Sequence, residues 1–255
     1  MKGKKRVRLK WYEVLLIGAL MGIVICCAAW IVSYFGQMHA SRQAFEKLAQ
    51  TVHAAVPADA PEDAQAEAQQ KSVLELQAQN PDCLAWLYSA DMGLDYPIMY
   101  TPQQPEYYLR KNFEKQYSLA GTPFLDARST SEDSANLIVH GHNMKGGSMF
   151  APLGSCLDDA YEREHVSFEL TFADGVRRYA LLAVLHVELT PENVDKYYYQ
   201  PQSQGEFEAF IKLLKRESLY YSDADGQGGE QLLTLSTCDN RTDNGRILVF
   251  ALRVK

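Results

Sequence analysis

Near its C-terminal end the sequence sets a cysteine in surroundings that favour thiol chemistry. Leu232-Leu233-Thr234-Leu235-Ser236-Thr237-Cys238 is a strand-like run, and Arg246-Ile247-Leu248-Val249-Phe250-Ala251-Leu252 is another. The polar loop between them, Asp239 to Gly245, contains Asn244-Gly245, a strong turn signal, so the runs read as antiparallel neighbours. The last residue of one strand then stands beside the first of the next, which pairs Cys238 with Arg246 at an open end of a sheet. Period-two alternation puts Thr234, Ser236 and Cys238 on one face. A fixed positive charge there favours both a thiolate and the oxyanion formed when it attacks a carbonyl. A lone cysteine at a strand end is also what a small buried hydrophobe looks like. A histidine brought in from elsewhere in the chain decides between the two, because nucleophilic thiol chemistry needs an acid–base partner that meets it in space. Asn136-Leu137-Ile138-Val139-His140 reads as a buried strand ending at Gly141-His142-Asn143. Cys238, His142 and Arg246 together form a set suited to acyl transfer.

Other candidates carry less. His140 and His142 share a strand face, the first half of a zinc pair, but no second pair of matching spacing accompanies them. No metal and no other cofactor is expected. Arg241 lies in the loop, where a long cationic side chain is solvated. Arg253 stands at odd parity to Arg246 and so on the opposite face.

Gly141-His142-Asn143-Met144 with Gly147-Ser148-Met149-Phe150, Thr234 to Cys238, and Arg246 resembles the class B sortases, cysteine transpeptidases of Gram-positive bacteria. Asn80-Pro81-Asp82-Cys83-Leu84-Ala85-Trp86-Leu87, Asp95-Tyr96-Pro97-Ile98 and Ala120-Gly121-Thr122-Pro123-Phe124-Leu125-Asp126 extend the likeness, in order, over roughly residues 73–255. The resemblance implies that Cys238 attacks the threonine carbonyl of a Pro-containing pentapeptide near the C-terminus of a secreted protein. An amine from a cell-wall precursor or a pilin-like subunit would then resolve the thioester. It assigns proton transfer to His142 and the bracing of substrate and oxyanion to Arg246, helped by the backbone N–H of Asp239. Ser236, Leu109, Thr190 and one of Tyr197 to Tyr199, taken as Tyr198, would contact peptide. Two residues depart from the pattern: His140 stands where many members have Tyr, and Pro105 stands near an expected polar residue. A secreted thiol peptidase, another cell-wall transpeptidase and a non-catalytic membrane-tethered binding module remain as alternatives.

The elements that must position these residues can be read in outline. Lys2, Lys4, Lys5, Arg6, Arg8 and Lys10 precede an uncharged apolar stretch, Val14 to Phe35, long enough to cross about 30 Å of hydrocarbon as a helix. The cationic flank places residues 1–13 in the cytoplasm and everything after the 14–35 span outside. Without that anchor the chain carries 19 Lys and Arg against 31 Asp and Glu, a net charge of about −12. Such a surface excludes nucleic acid, whose phosphates need a basic patch. Cys83, Cys156 and Cys238 are the exported cysteines, an odd number without framework spacing, so at least one thiol is free and disulfides do not staple the fold. A Cys83–Cys156 bridge stays open at this stage. Phe45, Leu48, Val52 and Val56 recur at helical spacing over 41–56. Pro57 to Gln70 reads as a flexible tether within the 36–72 connecting segment, and Val73, Leu74 and Leu76 open a short helix before Pro81. Asp174-Gly175 marks a hairpin between Phe168 to Phe172 and Val176 to Leu189, and Phe207, Phe210, Ile211 and Leu214 mark a helix over 205–218. The expected catalytic domain, 73–255, is mostly β: a closed barrel with N-terminal helices and a helix before the last two strands, preceded by one transmembrane helix.

Overall fold

A computed structural model describes residues 10–54, 61–163, 165–222 and 229–254. The chain divides into two compact units, Met1–Ala40 and Ser41–Lys255. The first is the apolar part of helix α1 (Trp11–Ala54), whose large side chains are exposed, Val32 and Trp30 among them. It is long and apolar enough to cross a membrane. The cationic residues expected to flank it, apart from Lys10, lie outside the described residues.

The second unit opens with the end of α1, where Phe45, Ala49 and Val52 are buried at helical spacing. Val56 and Pro57 lie outside the described residues. Helix α2 (Glu62–Gln79) follows, and it corrects the expected tether: residues 62–70 are helical. Ala, Gln and Glu are strong helix formers even where no apolar stripe marks a face. The later turns of α2 bury Ser72, Val73 and Leu76, which dock that featureless stretch onto Trp86 and Tyr108.

Among the described residues nine strands form one sheet: β1 (Cys83–Ser89), β2 (Leu94–Met99), β3 (Phe124–Leu125), β4 (Asn136–His140), β5 (Ser167–Thr171), β6 (Val176–Glu188), β7 (Tyr220–Tyr221), β8 (Leu232–Cys238) and β9 (Gly245–Val254). Eight of them run in the order β5-β1-β2-β3-β4-β8-β9-β6, and β6 pairs back to β5, which closes a barrel. Closure gives each of these eight strands a partner on both sides, which leaves the two-residue β7 as the outer edge among the described residues. The first half of β6 pairs with β5, while its second half carries the short β7. Pairs β2–β3 and β4–β8 are parallel and the others antiparallel.

The barrel interior is filled by Leu87, Leu137, Val139, Phe168, Leu233, Leu235 and Val249 among others. Outside, helix α4 (Gln204–Glu217) lays Phe207, Phe210 and Leu214 over Ile138, Leu182, Leu248 and Phe250. Ser203 caps that helix by accepting the Glu206 N–H. With apolar side chains packed on both faces, β4 and β8 read as continuous runs rather than as alternating patterns. Truncating Phe210, which meets Phe250 edge-on at 6.0 Å, would cost about 3–5 kcal/mol. A seven-residue helix α3 (Pro191–Tyr197) was not expected. Its signal is local: Thr190 accepts the Asn193 N–H as N-cap, and Pro191 takes the first helical position.

Candidate active site

Strand register brings the expected residues together. Parallel pairing of β4 with β8 sets His140 beside Ser236, and antiparallel pairing of β8 with β9 sets Cys238 beside Arg246. Asn244 adopts φ 56° just before β9, the left-handed conformation that asparagine tolerates in tight turns. Past their last pair, β4 and β8 stay stitched. The Gly141 N–H donates to the Ser236 carbonyl at 3.1 Å, and the Thr237 hydroxyl to the Gly141 carbonyl at 2.7 Å. The Asn143 amide donates to the Cys238 carbonyl at 2.8 Å, and the Asn240 amide to the Asn143 carbonyl at 3.0 Å. The segments carrying His142 and Cys238 are therefore one hydrogen-bonded unit. Gly141 is required there, since a Cβ would come within 2.6 Å of the Phe150 ring.

A groove of about 830 Å³ runs over this end of the barrel, lined by Leu109, His142, Tyr198, Ser236, Cys238 and Arg246 among others. Cys238 is half-buried, and the Arg246 guanidinium donates to its Sγ. In the same groove wall the Tyr198 hydroxyl shares a 2.7 Å hydrogen bond with Ser236 Oγ. A planar fork on the thiol has further N–H groups to offer a second acceptor, a geometry that a single ammonium lacks.

His142 Nε2 lies 2.8 Å from the Leu109 carbonyl oxygen, which can only accept, so Nε2 carries the hydrogen and Nδ1 is free to gain or lose a proton. Leu109 is itself held by the close approach of Gly121 (φ +60°), where a Cβ would fall 2.5 Å from the Leu109 carbonyl oxygen. Burial is the main cause that pushes the His142 pKa below its ordinary value, and the Arg110 and Arg246 charges add to it, against the Leu109 hydrogen bond. Burial raises two other thiols, Cys83 to about 12 and Cys156 to about 11. Both are free and sit in separate core clusters.

Two of the expected residues are already engaged within the chain. The Asp239 N–H donates to the Gly245 carbonyl at 2.8 Å, so it closes the β8–β9 ladder and is spent as an oxyanion donor. The Asp239 carboxylate is buried among Arg241 and His186, at 2.9 Å from each. Thr190 uses its hydroxyl to cap α3. His140 is tied up as well. Its Nε2 lies 2.7 Å from Asp126, and its ring packs between Phe124 and Tyr198. Burial alone would raise the Asp126 pKa, but His140 and Arg128 hold it down to about 2. Sequence reasoning missed Asn143 and Asp126 as partners. Both lie inside motifs, but hydrogen bonds across strands leave no trace in residue spacing.

No family model matches the chain. Over 180 residues it is 34% identical to Sortase B of Listeria monocytogenes, covering 69% of this chain and 71% of that protein. The fold matches a mutant form of Clostridium perfringens sortase B with a TM-score of 0.71 at 22% identity, covering 84% of this chain and 98% of the other. It matches the Staphylococcus aureus sortase B–substrate complex with a TM-score of 0.69 at 22% identity, covering 86% and 98%. A closed barrel of matching topology, a thiol and a guanidinium paired in register, and this degree of identity lead to one conclusion: the chain belongs to the sortase B family of cysteine transpeptidases.

Proposed function

We propose that this enzyme joins secreted proteins to an amine on the cell surface, with Cys238 as nucleophile, His142 as acid–base and Arg246 as the cation that holds the oxyanion. Cys238 Sγ attacks the threonine carbonyl carbon of a Pro-containing sorting pentapeptide. As the C–N bond breaks, His142 gives its Nδ1 proton to the departing amine. The incoming amine, from a peptidoglycan precursor or a pilin-like subunit, returns a proton to His142 and attacks the thioester, forming a new C–N bond and releasing the thiolate. No step calls for a cofactor. The observation that carries the reading is the Cys238–Arg246 pair, a half-buried thiol under a guanidinium in a groove that His142 also lines. Ser236, Tyr198 and Leu109, which line the same groove, would meet the peptide. The apolar helix within residues 14–35 would anchor the enzyme with residues 1–13 in the cytoplasm and the 73–255 domain outside.

The test is to incubate the enzyme with a panel of fluorogenic pentapeptides, with and without amine nucleophiles, and to identify products by mass. Amide-linked product that depends on amine, lost in Cys238→Ala, is the expected result. Hydrolysis unaffected by any amine would make the chain a thiol peptidase, and turnover by Cys238→Ala would overturn the assignment.

A further inference from the structure

We infer that Phe45, on the last turns of α1, is a positioning residue for His142, so that docking of this helix on the barrel sets the acid–base group. The inference rests on the role proposed above for His142.

His142 is fixed at two points, its backbone and its ring, and both lead to α1. Its carbonyl accepts the Phe150 N–H at 2.9 Å, and Asn143 bridges to Met149. Met149 is held at φ 59°, a left-handed conformation that a non-glycine residue keeps only when its surroundings impose it. Those surroundings are Tyr96 and Phe45. The Met149 N–H donates to the Tyr96 hydroxyl at 3.1 Å, and the Tyr96 ring meets Phe45 edge-on at 5.5 Å. Phe45, Ala120 and Met149 form one buried cluster, with Met144 from the His142 loop packed on it. The ring of His142 is held by the Leu109 carbonyl, and Leu109 by the approach of Gly121, the neighbour of Ala120 in that cluster. Ser118 ties this loop back twice: its carbonyl accepts the Gly121 N–H, and its hydroxyl bonds Ser41 of α1 at 3.0 Å. Phe45 is 3% exposed, and its buried cluster with Ala120 and Met149 includes no residue of β8 or β9, the strands that position Cys238 and Arg246. One buried ring on a helix outside the barrel thus supports both fixings of the histidine, while the nucleophile, though bonded to the same loop through Asn143, keeps an independent fixing in the β8–β9 ladder.

This asymmetry makes the inference testable with the full chain in detergent. Phe45→Ala should lower kcat by about tenfold, the scale of a sub-ångström misplacement of a reacting group, with KM and the rate of Cys238 alkylation little changed. Phe45→Leu, which refills most of the volume, should restore most of the rate. Ser41→Ala, which removes one hydrogen bond and leaves no core cavity, should give a smaller loss of the same kind, so the test survives if Phe45→Ala fails to fold. In Phe45→Ala the pH midpoint of His142, followed by NMR, should move, because its burial changes. Unchanged kcat in both the Phe45 and Ser41 variants would overturn the inference, as would a loss of alkylation rate in step with kcat. His142→Ala run alongside separates the two readings: if it stays active the proposed role of His142 fails, and if it is dead while the α1 variants are normal, only the inference fails.

Discussion

Replacing Arg246 by lysine keeps the positive charge and removes the fork. In the structure the guanidinium donates to Cys238 Sγ and keeps further N–H groups for an oxyanion. An ammonium on a shorter stem is a point charge and cannot hold sulfur and oxyanion in one fork geometry. A hydrogen bond to a charged partner contributes about 1.5–3 kcal/mol. At about 1.4 kcal/mol per tenfold, losing one such bond in the transition state lowers kcat/KM by roughly 10- to 150-fold. Because the Asp239 amide is committed to Gly245, it cannot take over the oxyanion, so Arg246→Lys should fall at the upper end, on the order of 10²-fold. Arg246→Ala loses the charge as well as the contact to Cys238 and should fall further. Arg241 is mostly solvent-exposed and paired with Asp239, so Arg241→Ala should be nearly silent. The assay is continuous cleavage of a fluorogenic peptide with amine present, each variant normalised to the alkylatable Cys238. An Arg246→Lys enzyme as fast as the parent, or a larger loss from Arg241→Ala, would refute the strand-borne cation.

His142 should titrate by NMR below the ordinary histidine value of about 6.5, and Arg110→Gln should raise its midpoint by removing a neighbouring charge. Because the folded state disfavours the imidazolium, the unfolded chain binds that proton more readily; this contribution to stability is present above about pH 6.5 and is lost as pH falls toward the folded midpoint, as denaturant melts at stepped pH would record. Cys83 and Cys156, with thiols raised to about 12 and about 11, should resist iodoacetamide in the folded state while Cys238 reacts, and Cys83→Ala and Cys156→Ala should keep activity. Mass mapping of alkylated peptides checks the first, and early labelling of Cys83 or Cys156 would contradict their burial. Protease added to wall-less cells should remove the catalytic domain and leave a short membrane-bound stub; protection of the domain would reverse the proposed orientation.

The parts of the site that follow from strand register were legible. Asn244-Gly245 set the β8–β9 hairpin, and parity within it paired Cys238 with Arg246 and excluded Arg253. The apolar run ending at His140 was readable as a strand because it is covered on both faces. Residues 62–70 misled because α2 carries no amphipathic stripe there, so its composition resembled a linker although its propensity is helical. The helix start at Thr190 was legible in its cap-then-proline setting but went unread. The Leu109 carbonyl and the Asp239 N–H are main-chain groups, identical at every position. Which one faces a histidine and which is already bonded depends on tertiary packing alone.

The parallel pairing of β4 with β8 has a consequence for the order of manufacture. Thr237 bonds Gly141 across 96 residues of chain, and β9, the strand that closes the barrel against β6, also supplies Arg246. A chain interrupted before β8 lacks both the thiol and the parallel partner of its histidine strand, and one interrupted between β8 and β9 holds its thiol with no guanidinium. Pairings this distant in sequence form late, because loop-closure entropy is lost before the contacts offset it. If Arg246 acts as proposed, nascent chains and molecules clipped before β9 should not react with passing carbonyls. Reactivity is switched on by the last strand to arrive.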